Sequence, residues 1–152
     1  MIRCINSESA PGVSLLSSQE LEELIPAATL AWVAIAGDQI AGYLIGFTWT
    51  ARYDGEEFAW FKERYQDFFY VDQLALAPSF RGRGIGTRLY AELERRAARE
   101  LWQSLNCEVN LDPPNATSLA FHQRRGFREI GRMQATDGRR VTLLAKPVTG
   151  RG

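Results

Sequence analysis

The chain has only two cysteines, Cys4 and Cys107, and a single histidine, His122. Neither cysteine has CxxC spacing or a histidine neighbour, so a metal site and a disulfide framework are both unexpected. Cys107 falls in an apolar stretch and reads as a small core residue. Neither sign of charge is in excess. Eighteen basic and eighteen acidic residues cancel, which removes the field that draws proteins to nucleic acid. No apolar run is long enough to cross a membrane, and the first residues lack the charged-then-apolar pattern of an export signal. A cytoplasmic protein is expected. Repeats, linkers and low-complexity stretches are missing as well. With 152 residues, 45% hydrophobic and 24% charged, one globular domain over 1–152 fits, burying about two thirds of its unfolded surface.

Ser17 and Glu20 form a capping-box pattern that opens a helix through Leu21, Leu24 and Ile25, with Pro26 as its stop. Two apolar runs, 30–36 and 40–49, flank Gly37-Asp38 as a hairpin would. Residues 50–67 are aromatic, acidic and only weakly periodic. A strand at 68–77 follows. Ile85, Leu89, Leu93, Ala97 and Leu101 recur at every fourth position, the apolar stripe of a helix lying on a sheet. A further strand at 105–111 ends at Pro113-Pro114, which cannot extend a ladder. Asn115 and Gly126 cap a short helix, and Asp137-Gly138 turns a last hairpin between 127–133 and 140–146. Alternation in the middle with antiparallel ends predicts an α/β (α+β) class with a mixed sheet.

The densest information lies in Arg81-Gly82-Arg83-Gly84-Ile85-Gly86-Thr87. A strand enters this turn and a helix leaves it. The first amides of a helix lack intrahelical partners, and the macrodipole adds about half a positive charge there, so the geometry suits an anion. Glycine lets a phosphate approach the backbone, and the arginines add forked donors. Two common phosphate loops are excluded. The dinucleotide fingerprint needs G-x-G-x-x-G where this chain has G-x-G-x-G, and the P-loop lysine is absent.

The segment resembles the R-x-x-G-x-G signature of the GNAT superfamily of acyl-CoA-dependent N-acyltransferases, carried by Arg81, Gly84 and Gly86. Residues 115–127, from Asn115 to Gly126-Phe127, resemble that family's later segment, in which an asparagine precedes a short helix ending in G-F. The two segments stand in the family's order and, counted from Asp72 on the entering strand to Phe127, span a little over a third of the chain. The resemblance implies a GNAT-like, mixed and mainly antiparallel twisted sheet flanked by helices, splaying between the strands of Leu74 and Val109. It implies acetyl-CoA as co-substrate. Backbone of Leu74, Ala75 and Leu76 would pair with the pantetheine arm and supply oxyanion donors, while Arg81, Gly82, Arg83, Gly84, Ile85, Gly86 and Thr87 would hold the pyrophosphate. Asn115 and Phe121 would border the cofactor, although a plain N-cap explains Asn115 equally well. Family members usually carry a strand and two helices before their first hairpin. Room for about one helix is read here, with the first strand lost or reduced to Met1–Ile5. That would leave a sheet edge bare and favour a homodimer.

Acetyl transfer to an amine needs a neutral amine, a stabilised tetrahedral species and a proton for the leaving thiolate. A lysine-like amine is neutral in roughly one molecule per few thousand at pH 7, so a base or desolvation must help. His122 occupies the place of the family tyrosine that protonates the thiolate, and an imidazolium has the acidity to do so. The alternative is a histidine filling space beside Phe121 and bonding a carbonyl. Asp72 and Glu108 lie on the two strands that should splay, as relay bases or as partners of an arginine; Tyr70 shares the face of Asp72. No Cys–His or Ser–His–Asp set occurs, so direct attack without a covalent enzyme intermediate is expected. The aromatics and carboxylates of 49–70 suit a cationic small-molecule amine, either as a lid or as a satellite core around Phe58 and Phe61. The competing expectation is a CoA-binding sensor or interaction module without turnover.

Overall fold

The computed structural model describes residues 2–10, 13 and 15–149. Its frame is a six-stranded mixed sheet, in the order β1-β2-β3-β4-β6-β5. The strands are β1 (Leu30–Ala36), β2 (Gln39–Thr48), β3 (Phe68–Leu76), β4 (Ser104–Asp112), β5 (Arg128–Gln134) and β6 (Arg140–Pro147). Every neighbouring pair is antiparallel except β3 with β4. Five helices flank it: α1 (Ile2–Ser9), α2 (Ser18–Ala27), α3 (Glu56–Lys62), α4 (Ile85–Glu100) and α5 (Ala116–Arg124).

Two cores form on the two faces of the sheet. On one, Leu89, Leu93 and Ala97 of α4 pack with Phe69, Val71, Leu105 and Val109. On the other, Ile5 and Leu21 pack with Phe58, Phe61, Tyr43, Phe47 and Tyr70. Phe58 and Phe61 are fully buried, so α3 is a packed part of the core rather than a lid over a site.

Three expectations need correction. Ile2–Ile5 is helical, not a strand; Met1 lies outside the described residues. Ile2 and Ile5 recur at helical spacing toward the second core. Asn6 beside them is fully buried, its Nδ2 donating to Tyr43 Oη (3.2 Å) and to Gln73 Oε1 (3.1 Å). Two helices therefore precede β1, not one. Pro26 does not stop α2, which opens on the expected Ser17–Glu20 capping box but runs one residue further. Leu101 leaves the apolar stripe: it caps α4 in the left-handed region (φ 62°) and is exposed.

The expected bare edge is β1. It pairs with β2 alone in the sheet, and its Val33 and Ile35 are 44% and 62% exposed.

Candidate active site

The parallel pairing of β3 with β4 is short. It covers Phe68↔Ser104, Phe69↔Leu105 and Tyr70↔Asn106, and the strands then part. A β-bulge helps them separate. The β2–β3 register passes from Ile45↔Gln73 to Gly46↔Val71, which makes Asp72 the extra residue and re-aims its side chain. Beyond the bulge, Ala77 N–H returns to Ala41 O of β2 (2.8 Å). Strand alternation then turns the backbone groups of Leu74 and Leu76 toward the gap, while Ala75 faces β2. Leu76 O in that gap accepts from Arg81 Nε (3.1 Å).

At the end of β3 the glycine loop enters α4. Gly84, at φ 79°, is the N-cap, and no side chain caps the helix. A Cβ at Gly82 or Gly84 would meet nothing within 4 Å, whereas one at Gly86 would stand 3.2 Å from Phe121 Cζ. The first two glycines thus leave open space over free amides, and the third lets α5 close against α4 through Phe121. This surface fits a diphosphate. Ile85 and Thr87 lie in the first turn beside it, Arg83 stacks over Phe80 at 5.4 Å, and Arg81 Nη2 reaches Ser9 Oγ (3.2 Å). Asn115 caps α5, its Oδ1 accepting from Ser118 N–H (3.3 Å). The N-cap role accounts for it.

Asp72, Glu108 and His122 converge on one small cavity of about 40 Å³ inside the splay, together with Tyr90, Cys107 and Arg139. Tyr53 Oη donates to Asp72 Oδ1 (2.9 Å), and Tyr70 Oη donates to Glu108 Oε2 (2.7 Å). Buried Glu57 of α3 stands nearby, paired with Arg139 Nη2 at 3.3 Å. Arg139 Nη1 also donates to Asn110 Oδ1 (3.2 Å). Glu56 fastens the β5–β6 turn to α3 by accepting from Thr136 N (3.0 Å) and Thr136 Oγ1 (3.1 Å). Among the described residues no group of three or more His, Cys, Asp and Glu side chains is placed to hold a metal ion.

The carboxylates differ in acidity. Burial pushes Asp72 up to about 6; the Tyr53 hydroxyl opposes this, Glu57 adds to it, and the Tyr70 hydroxyl opposes it. Glu108 is raised well above the carboxylate range by burial and then by Glu57 and Asp72, against Tyr70 and Arg139. Pairs of carboxyls driven apart in this way supply one base and one acid.

His122, expected as a proton donor, is buried and bonded at both ring nitrogens. It is 6% exposed, and burial lowers its pKa, against a backbone hydrogen bond at Ser118. Nδ1 lies 2.7 Å from Ser118 O, which can only accept, so Nδ1 carries the hydrogen. Nε2, 2.7 Å from Tyr90 Oη, is then the acceptor. Its ring packs edge-on against Tyr90, Phe121 and Phe127. This agrees with the space-filling alternative: a neutral imidazole with both ring nitrogens engaged within the protein.

A wider groove of about 730 Å³ lies at the opposite end of the sheet, between the 62–67 loop and Asn106, Arg128 and Ala145. It is remote from the glycine loop and lacks the carboxylate pair. Volume alone does not make it the reaction site.

Residues 2–127 match the acetyltransferase (GNAT) family model. The chain belongs to the GNAT family. No curated protein matches it. Among solved structures it resembles Ard1 from Thermoplasma volcanium at 15% identity and TM-score 0.77, covering 97% of this chain and 88% of that one. It also resembles the ribosomal-protein-alanine N-acetyltransferase of Brucella melitensis, at 22% identity and TM-score 0.69 over 95% and 91% of the two chains. A Bacillus anthracis acetyltransferase solved with acetyl coenzyme A matches at 14% identity and TM-score 0.62, over 79% and 62%. The GNAT family uses acetyl-CoA, and the fold shared with these structures is the mixed sheet with its flanking helices.

Proposed function

We propose that this GNAT protein transfers acetyl from acetyl-CoA to the amine of a small cationic molecule by direct attack. One observation carries the reading: the uncapped glycine loop and a carboxylate pair of split acidity border the same splay. Acetyl-CoA is a substrate here, and it supplies the thioester. The loop amides, with Arg81 and Arg83, bind its diphosphate, and the Leu74 and Leu76 amides face the gap as hydrogen-bond donors for a developing oxyanion.

Asp72, ionised at neutral pH, takes the proton of the attacking amine. Glu108, protonated under the same conditions, returns a proton to the departing sulfur. The Tyr70 hydroxyl contacts both carboxyls and passes the proton from Asp72 back to Glu108, which closes the cycle. With Glu57 paired to Arg139, the Asp72 carboxylate is left to favour a cationic acceptor. The tyrosines 53 and 70 beside it favour a compact one. A cytoplasmic homodimer through the β1 edge belongs to the same reading, and light scattering reads the dimer.

One observation favours the second reading, a CoA-binding module without turnover: His122, where the family tyrosine stands, has both ring nitrogens taken, by Ser118 O and by Tyr90 Oη. A two-stage experiment separates them. Calorimetric titration with acetyl-CoA, with dephospho-CoA and ADP as controls, comes first; a screen of diamines and other cationic amines for CoA release follows. Micromolar binding with turnover supports the enzyme, and binding with no turnover on any amine supports the module. No binding at millimolar acetyl-CoA sinks both.

A further inference from the structure

We propose that Tyr53 is a positioning residue, which aims the Asp72 carboxylate into the splay and keeps it the ionised member of the pair. The inference deepens the acetyltransferase reading and rests on its assignment of Asp72 as the base.

Tyr53 comes from the stretch between β2 and α3, far from either motif of the cofactor loop. Its ring is fixed on three sides. It stacks on Phe47 with centroids 4.1 Å apart and planes 4° from parallel, and it meets Phe58 at 5.7 Å. On the third side, Gly55 lies so close that a Cβ there would stand 2.7 Å from the ring. The segment thus delivers one hydroxyl to one place, 2.9 Å from Asp72 Oδ1. Asp72 needs such a partner because a bulge residue has lost the ladder that steadies its neighbours.

Charge makes the same demand. Burial and Glu57 from α3 favour protonation of the carboxylate, and Glu108 from β4 faces it across the cavity. Arg139, the cation lining the cavity, is engaged by Glu57, Asp137 and Asn110. Tyr70 on the same strand is shared with Glu108, and His122 across the cavity is neutral with Nε2 on Tyr90. Tyr53 is therefore the donor committed to Asp72 alone, and a phenol donating to a carboxylate stabilises the charged form.

Tyr53→Phe tests this, since the stacked ring stays and only the hydroxyl goes. The carboxyl carbon of Asp72, followed by NMR in labelled protein and assigned with Asp72→Asn, should titrate about one unit higher in the variant. With the best amine found, kcat should fall about tenfold, the KM for acetyl-CoA should hold, and the acid limb of the pH–rate profile should move up by the same unit. An unmoved Asp72 titration overturns the proposal whatever the rates do. A shifted titration with undiminished turnover in both Tyr53→Phe and Asp72→Asn would uphold the positioning and overturn Asp72 as base.

Discussion

Tyr70 is the last β3 residue paired with β4, and its hydroxyl donates to Glu108 Oε2 at 2.7 Å, on the strand that has begun to leave it. One bond thus spans the splay at its root. It ties the geometry of the opening to the protonation of the carboxyl that faces it.

Glu108→Gln keeps an oxygen acceptor for Tyr70 but has no acidic proton to give. Steady-state kinetics should show kcat lower by about a hundredfold, with acetyl-CoA affinity unchanged by calorimetry. Wild-type activity should fall at alkaline pH as Glu108 ionises, and that limb should vanish in the variant. A variant that keeps both its rate and its alkaline limb removes Glu108 from the mechanism.

Asp72→Asn should inactivate and stabilise together. The folded carboxyl titrates at about 6, above its ordinary 3.8, so the fold favours the protonated form. Its contribution is complete below pH 3.8, declines as the pH rises, and is gone above about 6. At pH 8 the ionised group costs the fold about 1–3 kcal/mol, allowing for its partial exposure. Thermal unfolding should show the variant several degrees more stable at pH 8 and level with wild type near pH 3.5. Equal melting temperatures at both pH values would place Asp72 in open solvent.

Arg81→Ala should weaken acetyl-CoA and ADP by the same factor, about tenfold, since the guanidinium, held by Leu76 O and Ser9 Oγ where β3 meets the glycine loop, is assigned to the diphosphate that both ligands share. Turnover at saturating cofactor should hold. Calorimetry with both ligands reads this, and a loss for acetyl-CoA with none for ADP would move Arg81 away from the diphosphate.

The strand, glycine turn and helix around 81–87 are legible because their signals are local: glycines and arginines within seven residues, between a strand and a helix of clear period. The β-hairpins and the Asn115 N-cap of α5 are legible for the same reason, whereas the C-cap is Arg125 and the expected Gly126 follows it at φ 97°. What escaped depends on distant pairs. Glu57 and Arg139 stand 82 positions apart, and Tyr53 meets Asp72 only because Phe47 and Gly55 fix its ring. The bulge that makes Asp72 special leaves no mark in a single strand. Of the two alternatives for the N-terminus, a lost first strand holds, and helix α1 stands there with Asn6 mid-helix, held by Tyr43 and Gln73 rather than by propensity. His122 stands out in the sequence as the lone histidine, but its tautomer is set by Ser118 O one turn back, which no residue spacing announces.

His122→Phe decides whether that imidazole does chemistry. Phenylalanine preserves the ring contacts with Tyr90, Phe121 and Phe127 but leaves the buried Tyr90 hydroxyl without its nitrogen. The expected result is a loss of about 1–2 kcal/mol in stability at pH 7, with kcat within about threefold of wild type. The pH dependence has a definite sign. The folded imidazole resists the proton that the unfolded one accepts near pH 6.5. Wild type therefore loses stability as the pH falls below 6.5, while the variant has no such group to titrate. The gap in melting temperature should be widest above pH 7 and shrink toward pH 5. If kcat instead falls a hundredfold while acetyl-CoA affinity holds, the proton does come from His122, and the imidazole must exchange Tyr90 for the substrate sulfur when the cleft is filled.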